Sequence, residues 1–253
     1  MPAPFISLSI VSHGDSEEVL RLLTSLQKYE QETKRFQIIL TDNFGNDLQD
    51  SESKAWHSVQ VLRNDKKLGF AENHNRAFQF ATGEYFAILN PDLVFEQPVF
   101  MRLIESLEKH SLDIIALKIV DENGVTQDSF RRLPNLFTLI KRRLHVATSE
   151  DFVIDQNGIM YPDWIAGMFL FMRSNTYRQL GGMDEKFFLY FEDVDFCTRA
   201  RLQGMNVAVD THVQVRHDAQ RSSRKSMYYL FLHLRSMMQF FISVVYRKAL
   251  RNR

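Results

Sequence analysis

The 253-residue chain has little cysteine, no net charge and no repeated segment. Its single cysteine, Cys197, cannot form an internal disulfide, which indicates a reducing compartment such as the cytoplasm. No secretory signal is visible at the N-terminus. The absence of net charge argues against a broad surface for nucleic-acid binding. With 45% hydrophobic and 25% charged residues, the composition is that of an ordinary globular protein.

Long apolar runs are also missing. The best candidate for a membrane span, residues 236–246, is too short, and His233 and Arg235 interrupt the apolar stretch before it. The spacing of apolar residues instead predicts one amphipathic helix over residues 227–245. After residue 216 the chain carries eight basic residues and one acid, Asp218. Such a helix can pack on the domain, lie on an anionic membrane surface, or do both.

Alternating strand and helix signals predict parallel strands joined by helices. One domain, residues 1–225, is expected to precede the basic amphipathic helix of residues 226–253. A single apolar strand is expected over residues 164–172. A basic stretch, residues 131–145, is expected to be mobile or to face the acceptor. The strands predicted in the first half lie at residues 5–11, 36–40, 59–62, 85–89 and 114–120.

Polar clusters follow three of these strands, where open α/β sheets bind their ligands. They are Ser12-His13-Gly14, Thr41-Asp42-Asn43 and Asn90-Pro91-Asp92. The first strand lacks the GxGxxG fingerprint of dehydrogenases. A carboxylate such as Asp42 can accept from a base N–H or a ribose hydroxyl. Asp92 suits a hard divalent cation that bridges two phosphates.

Three carboxylates, Glu192, Asp193 and Asp195, follow an aromatic run at residues 187–191. They are either a solvated helix start or part of an enclosed cleft. In a cleft, a carboxylate can hold a pKa suited to taking a proton from a sugar hydroxyl. Arg199 lies one helical turn beyond Asp195 and is expected to pair with it. Asp193 would then be the freer base.

Three stretches, residues 64–75, 89–92 and 181–199, give the chain a resemblance to family 2 glycosyltransferases of the GT-A fold. The sequences that carry it are NDKKLGFAENHN, LNPD and GGMDE followed by EDVDF and Arg199. The similarity covers about residues 5–220 and is closest to bacterial rhamnosyltransferase-like members. The resemblance implies a Rossmann-like single α/β domain with a mostly parallel central sheet.

The resemblance also implies roles for the donor-side residues. Asp42 matches the acid that contacts the nucleotide base, with Ser12 and His13 at the edge of the base pocket. Four further residues match the loop and helix start that close over the nucleotide and donor sugar. They are Asn64, Gly69, Phe70 and Asn75.

On the reacting side, Asp193 matches the catalytic base and Asn90-Pro91-Asp92 matches the metal-binding Asp-x-Asp. Because the first acid is Asn here, Asp92 is expected to hold Mn²⁺ or Mg²⁺ while Asn90 makes a neutral contact. His217 matches a histidine that often completes the metal shell. The junction of donor and acceptor is assigned to Trp164, Gly167, Glu192 and Asp195.

The implied reaction is an inverting transfer from a dTDP- or UDP-linked sugar, with dTDP-L-rhamnose as the preferred donor. The acceptor is expected to be a lipid-linked or growing cell-surface polysaccharide, reached at the inner face of the membrane. Glucosyl, galactosyl, N-acetylhexosaminyl and galactofuranosyl donors stay open. Two other functions remain as alternatives: a catalytically silent nucleotide-sugar binder of the same fold, and an acid–base glycosidase that needs neither nucleotide nor metal.

Overall fold

The computed structural model describes residues 5–30, 32–44, 55–134, 152–218 and 227–252. In the first half the strands are β1 Ile6–Ser12, β2 Phe36–Asp42, β3 Ser58–Arg63, β4 Tyr85–Leu89, β5 Leu93–Val94, β6 Ile114–Val120 and β7 Phe130–Arg131. In the second half they are β8 Ile159–Met160, β9 Trp164–Ile165, β10 Phe169–Arg173 and β11 Val207–His217. The helices are α1 Ser16–Tyr29, α2 Phe70–Phe78, α3 Phe100–Lys109, α4 Ser174–Gln179, α5 Glu192–Leu202, α6 Met227–Phe241 and α7 Val244–Arg251.

The central sheet runs in the order β3-β2-β1-β4-β10-β6-β11-β5. Strands β3, β2, β1 and β4 are parallel, and β11 is parallel to β6. Strand β10 is antiparallel to both β4 and β6, and the short strands β5 and β8 are antiparallel to β11. The predicted α/β architecture with a mostly parallel sheet is confirmed.

Strands β1, β2 and β4 are largely apolar and are covered on both faces. Every residue of β1, β2 and β4 is buried, as expected of parallel strands between helices. The serines of β1 find partners inside the protein: Ser7 Oγ donates to Gln37 Oε1 at 2.6 Å, and Ser9 Oγ lies 2.7 Å from His74 Nδ1. These bonds offset the cost of burying two hydroxyl groups.

The single strand predicted over residues 164–172 is wrong. Strand β9 pairs with β7 in a small second sheet, whereas β10 lies in the central sheet. The chain leaves one sheet for the other at Gly167. A Cβ there would lie only 3.0 Å from the ring of Phe70, so the backbone passes directly over that ring. A side chain at Gly167 would therefore collide with Phe70.

The single C-terminal helix predicted over residues 227–245 is also wrong, because the segment forms two helices, α6 and α7. Ser243 adopts an extended backbone and caps α7, its Oγ accepting from Tyr246 N at 3.0 Å. Within the described residues, none of the helices combines the length and apolar character needed to cross a membrane. Of the basic stretch at residues 131–145, only residues 131–134 are described, and the rest lies outside the described residues.

Candidate active site

A cavity of about 450 Å³ opens at the carboxyl ends of β1 and β4, where the sequence predicts ligand binding. It contains four of the predicted site residues, His13, Phe70, Asn90 and Asp92. The other described lining residues come from β1, the start of α1, the loop before α2 and α2 itself, β4 and the turn after it, the segment before α5, and helix α6. They are Val11, Asp15, Glu18, Lys67, Leu68, His74, Leu89, Pro91, Phe188, Leu189, Tyr190, Tyr228, Tyr229 and Leu232.

The predicted base pocket lies at the ends of β1 and β2. Ser12 and Asp42 are register partners in the sheet, and both are buried. Ser12 Oγ accepts from Asp15 N at 3.0 Å. His13 Nδ1 lies 3.1 Å from Asn43 Nδ2, which can only donate, so Nδ1 accepts and Nε2 carries the proton. Burial lowers the pKa of His13, which agrees with a neutral ring.

Asn64 belongs to a buried amide network that holds the loop before α2. Its Nδ2 lies within hydrogen-bond distance of Asn43 Oδ1, 2.8 Å, and Asn73 Oδ1, 2.7 Å. Asn43 Oδ1 also accepts from Leu68 N at 2.8 Å, and Asn73 Nδ2 donates to Gly69 O at 2.9 Å. Asn64 therefore acts on the loop through Asn43 and Asn73. Sequence reasoning missed both, although Asn43 directly follows Asp42 at a strand end.

Gly69 and Phe70 join this loop to the segment before α5. Phe70 N donates to Phe188 O at 2.9 Å. A Cβ at Gly69 would lie 2.7 Å from the same oxygen, so only glycine allows the two backbones to meet. The Phe70 ring packs edge-on against the ring of His74. Full burial lowers the pKa of His74 to about 3, so His74 is neutral in this wall.

Asn75 and Trp164 are not among the described residues that line the cavity. Asn75 Oδ1 accepts from Tyr177 OH at 2.6 Å and Met183 N at 2.9 Å, which ties α2 to the chain before α5. Trp164 Nε1 donates to Arg132 O at 3.1 Å, and its ring packs on an apolar cluster around Phe187 and Val194. Both side chains therefore hold neighbouring segments of the chain together.

The three predicted carboxylates stand in different environments at the start of α5. Asp195 is buried, and its Oδ2 pairs with Arg199 Nε at 2.7 Å, which confirms the predicted ion pair. Glu192 is also buried, and burial together with the charge of Asp193 raises its pKa well above the usual range. Asp193 alone of the three is partly exposed.

Asp193 is oriented by backbone donors. Its Oδ2 accepts from Gly167 N at 3.0 Å and its Oδ1 from Val194 N at 2.8 Å. Burial raises the pKa of the Asp193 carboxyl, and these hydrogen bonds act in the opposite direction. Each oxygen keeps a second lone pair with which it can accept a proton.

The backbone before α5 is strained. Tyr190 and Phe191 both have left-handed φ values, 71° and 69°. Such residues cost about 1–3 kcal/mol each unless their surroundings hold them in place. Here the hold comes from α6, since Ser236 Oγ donates to Leu189 O at 2.8 Å and the ring of Phe240 packs on Phe191.

Asp92 and His217, the two residues predicted to hold a metal, are in contact. His217 is the last residue of β11, and its Nε2 lies 3.0 Å from Asp92 Oδ2. Gln127, missed by sequence reasoning, fixes the ring: its Nε2 donates to His217 O at 3.0 Å, so its Oε1, 2.7 Å from Nδ1, accepts the Nδ1 proton. His217 Nε2 then faces the Asp92 carboxylate with a lone pair or with a second proton.

This donor set fits a divalent cation. A lone pair on His217 Nε2 facing a carboxylate requires a shared proton or metal ion, and Asp92 Oδ1 is a buried acceptor without a hydrogen-bond partner. A carboxylate and an oriented imidazole are common metal ligands. The described residues contain no group of three or more His, Cys, Asp or Glu side chains able to hold a metal.

Two adjacent residues connect the acid and metal sides. Gly167 N donates to Asp193, and Met168 O accepts from Asn90 N at 2.9 Å. Asp92 follows two residues after Asn90. The fold therefore attaches the candidate base and the candidate metal ligand to one short segment between β9 and β10.

Comparison with known proteins shows the family to which the chain belongs. The model of the family described as Glycosyl transferase family 2 matches residues 7–169. Rhamnosyltransferase WbbL of Escherichia coli is 23% identical over 93% of this chain and 92% of its own. The N-acetylglucosaminyl-diphospho-decaprenol L-rhamnosyltransferase of Mycobacterium tuberculosis is 22% identical over 89% of this chain and 80% of its own.

Solved structures share the fold at low identity. TarS 1–349 of S. aureus in complex with UDP-GlcNAc superposes with a TM-score of 0.64 at 13% identity, over 95% of this chain and 67% of that one. GalNAc-T7 with UDP, GalNAc and Mn²⁺ gives a TM-score of 0.65 at 16% identity, over 87% of this chain. The chain spans less than half, 44%, of the GalNAc-T7 structure. On the family match, the chain belongs to glycosyl transferase family 2.

Proposed function

We propose that this chain transfers L-rhamnose from dTDP-L-rhamnose to a hydroxyl of a lipid-linked or growing cell-surface polysaccharide, with inversion and with the help of a divalent cation. Support for the sugar comes from the relatives that are named rhamnosyltransferases. One observation supports the chemistry above all others. Asp193 accepts from Gly167 N, and Asn90, two residues before Asp92, donates to Met168 O, which supports a base and a cation site that serve one reaction centre.

In this proposal the nucleotide lies along the ends of β1 and β2. Asp42 accepts from the base, and Ser12 and His13 form the edge of that pocket, where the Nε2–H of His13 is a donor. The loop with Gly69 and Phe70 closes over the diphosphate and the sugar. Its shape is held by the amides of Asn43, Asn64 and Asn73, and the Arg76 guanidinium donates to Asn64 Oδ1.

The reaction is a single displacement at the anomeric carbon. The acceptor hydroxyl oxygen attacks, the bond from the anomeric carbon to the diphosphate oxygen breaks on the opposite face, and the diphosphate keeps the electron pair. Asp193 takes the hydroxyl proton, since its oxygens are oriented by Gly167 N and Val194 N and still have free lone pairs. A diphosphate leaves without protonation, so Glu192 is not needed as an acid.

Asp92 and His217 would hold the cation, with Asn90 as a neutral neighbour. A bound Mn²⁺ or Mg²⁺ neutralises negative charge on the departing diphosphate. The histidine favours Mn²⁺. The Mn²⁺ in the GalNAc-T7 structure supports a cation of this kind in the fold.

The acceptor is proposed to be lipid-linked because the M. tuberculosis relatives carry a diphospho-decaprenol acceptor in their names. A chain whose C-terminal segment is basic is suited to an anionic membrane surface. Its one cysteine is a free, buried thiol, which suits the reducing side of that membrane. The proposed site of action is therefore peripheral, at the cytoplasmic face.

The substitution Asp193→Asn tests the base. We expect the rate of transfer to fall by about 10²–10⁴-fold, because an amide cannot take the proton. Binding of dTDP with Mn²⁺, followed by thermal shift, should persist. Asp184→Asn is the matched control, since Asp184 is an acid of the same region that pairs with exposed Lys186. Equal rates in wild type and Asp193→Asn would remove Asp193 from the mechanism.

The second candidate function is a nucleotide-sugar binder without turnover. It is favoured by Asn90, which stands where the family has the first acid of its metal motif. This alternative predicts that dTDP or UDP stabilises the chain but that no donor is consumed with any acceptor or with water. Stabilisation by nucleotide and Mn²⁺ would count against an acid–base glycosidase, because such an enzyme requires neither.

A further inference from the structure

Helix α6 has an inward face that belongs to the candidate active site. Tyr228, Tyr229 and Leu232 line the cavity that also contains His13 and Asp92. One turn further on, the ring of His233 packs against Tyr190 and Phe191, with centroids 5.2 and 5.5 Å away. This face lies beyond residues 7–169, the part of the chain that the family model matches. The cavity is thus completed by an element outside that match.

The outward face of the same helix is apolar. A helix that only packs on a core has a polar outward face instead. We call this set of residues the outward stripe. Its members recur at spacings of three and four residues, and between 45% and 79% of each is exposed. They are Met227, Phe231, Leu234, Met238 and Ile242. A continuous apolar strip of this kind on a protein surface marks an interaction site.

The Lys, Arg, Asp and Glu residues of α6 and α7 are all basic. No Asp or Glu follows Asp218 in the sequence. Arg235 is exposed on α6, and Arg247, Lys248 and Arg251 are exposed on α7. An exposed apolar helix face flanked only by cations is typical of helices that lie in the surface of an anionic bilayer.

We propose that α6 joins the active site to the membrane: the outward stripe and the cations of α7 dock on anionic phospholipid, while Tyr228 and Tyr229 form the wall past which the acceptor glycan enters. This rests on the proposed function insofar as the acceptor is lipid-linked. One helix thickness, about 10 Å, then separates the bilayer surface from the cavity. A glycan whose lipid stays in the membrane crosses only that distance to reach the cavity.

The inward contacts give the docked helix a second task. Because Ser236 Oγ holds Leu189 O, and Phe240 and His233 pack on the strained residues before α5, α6 fixes the backbone that carries Asp193. The same helix that contacts lipid therefore positions the candidate base. Aromatic walls such as Tyr228 and Tyr229 also suit the apolar faces of sugar rings.

Site-specific labelling tests the docking directly. The native thiol, Cys197, is fully buried, so a cysteine introduced at the surface is labelled selectively. We expect an environment-sensitive dye at Phe231→Cys or Met238→Cys to shift to the blue with phosphatidylglycerol-containing vesicles and to be quenched by spin-labelled lipid. Leu20→Cys, on the exposed face of α1, is the matched control and should show neither change. No shift at positions 231 and 238 would overturn the proposal.

Charge substitution gives a second measurement. In vesicle co-sedimentation we expect the double variant Phe231→Glu/Met238→Glu to bind phosphatidylglycerol vesicles at least about tenfold more weakly, and wild type to bind pure phosphatidylcholine weakly. Leu20→Glu should bind as wild type does. Wild-type binding by the double variant contradicts the proposal. So does an oligomer in lipid-free solution that the double variant dissociates, since the stripe would then be an interface between two copies.

Failure of the docking and failure of the proposed function are distinguishable. If vesicle binding is lost in the double variant while stabilisation by dTDP and Mn²⁺ is kept, the docking surface is supported whatever the donor is. If wild type binds vesicles through the stripe but consumes no nucleotide sugar, only the proposed function fails.

Discussion

The two sides of the candidate active site are built by different means. The nucleotide side, β1, β2 and the loop before α2, contains one buried carboxylate, Asp42, and its loop is held chiefly by amides: those of Asn43, Asn64 and Asn73, with the Arg76 guanidinium donating to Asn64 Oδ1. The acid side, residues 188–199 with α6, contains buried carboxylates and two left-handed residues. Buried amides are stable once paired, whereas buried charges and strained backbone depend on their neighbours. Substitutions should therefore be costlier on the acid side.

The buried ion pair of the acid side should give the largest effect. Asp195→Ala leaves the Arg199 guanidinium without its carboxylate, although Leu180 O and Gly182 O still accept from it. We expect the free energy of unfolding to fall by about 3–5 kcal/mol, measured by urea denaturation. Asn64→Ala, on the nucleotide side, should cost about 1–3 kcal/mol.

The control for this comparison is Asp184→Ala, which removes an exposed acid and should change stability by about 0.5 kcal/mol or less. Equal losses in Asp195→Ala and Asn64→Ala would break the contrast between the two sides. Transfer activity should also distinguish Asp195 from Asp193. Asp195 acts through Arg199, whereas Asp193 is proposed to touch the acceptor.

The two sides meet at Gly69, and the next largest effect is expected there. Gly69→Ala sets a methyl group 2.7 Å from Phe188 O, a backbone atom, so the loop and the segment before α5 must separate. A displacement of about 1 Å near a reaction centre costs about a hundredfold in rate. We expect kcat/KM to fall by that factor.

Gly204→Ala is the comparison for Gly69→Ala, since no atom lies within 4 Å of its added Cβ and the nearest residue assigned to the site, Asp195, lies nine residues away in the chain. Its positive φ brings a small loss of stability without a change in rate. A Gly69→Ala variant with the activity of wild type would show that the contact between the two sides is dispensable.

The predictable parts of the molecule are those that depend on neighbours in sequence. β4 and β6 form at the predicted residues because each is a continuous apolar run, and the Asp195–Arg199 pair follows from helical spacing. Gly167 separates two strands because of Phe70, and Gln127 matters because of His217, partners that only the fold supplies. The sequence pattern places Ser243 inside a single apolar helix. In the structure its hydroxyl caps α7 instead.

Gln127 lets the metal side be tested without turnover. Gln127→Leu removes the acceptor that holds the Nδ1 proton of His217, so the ring loses its fixed orientation. We expect Mn²⁺ affinity, measured by electron paramagnetic resonance without donor, to fall by about 10–100-fold. Gln127→Glu keeps an acceptor and should restore most of the affinity. An unchanged affinity in Gln127→Leu would mean that His217 does not bind the cation through Nε2.

The smallest effect should be a pH dependence of stability that originates in Glu192. The pKa of this carboxyl is raised in the folded protein, chiefly by burial and then by Asp193. A raised carboxyl pKa contributes stability that is full below the unfolded pKa, about 4.3, and is lost as pH rises through the folded pKa.

Glu192→Gln removes this dependence because an amide stays neutral at every pH. We expect the variant and wild type to have similar melting temperatures near pH 4.5, and the variant to be more stable by about 1 kcal/mol or more at pH 8, one pKa unit being worth about 1.4 kcal/mol. Glu185→Gln changes an exposed residue on the same side. Its stability should follow that of wild type at every pH. A variant that is less stable than wild type at pH 8 would show that Glu192 is charged and paired, and the acid side would then resemble an ordinary ion-pair network.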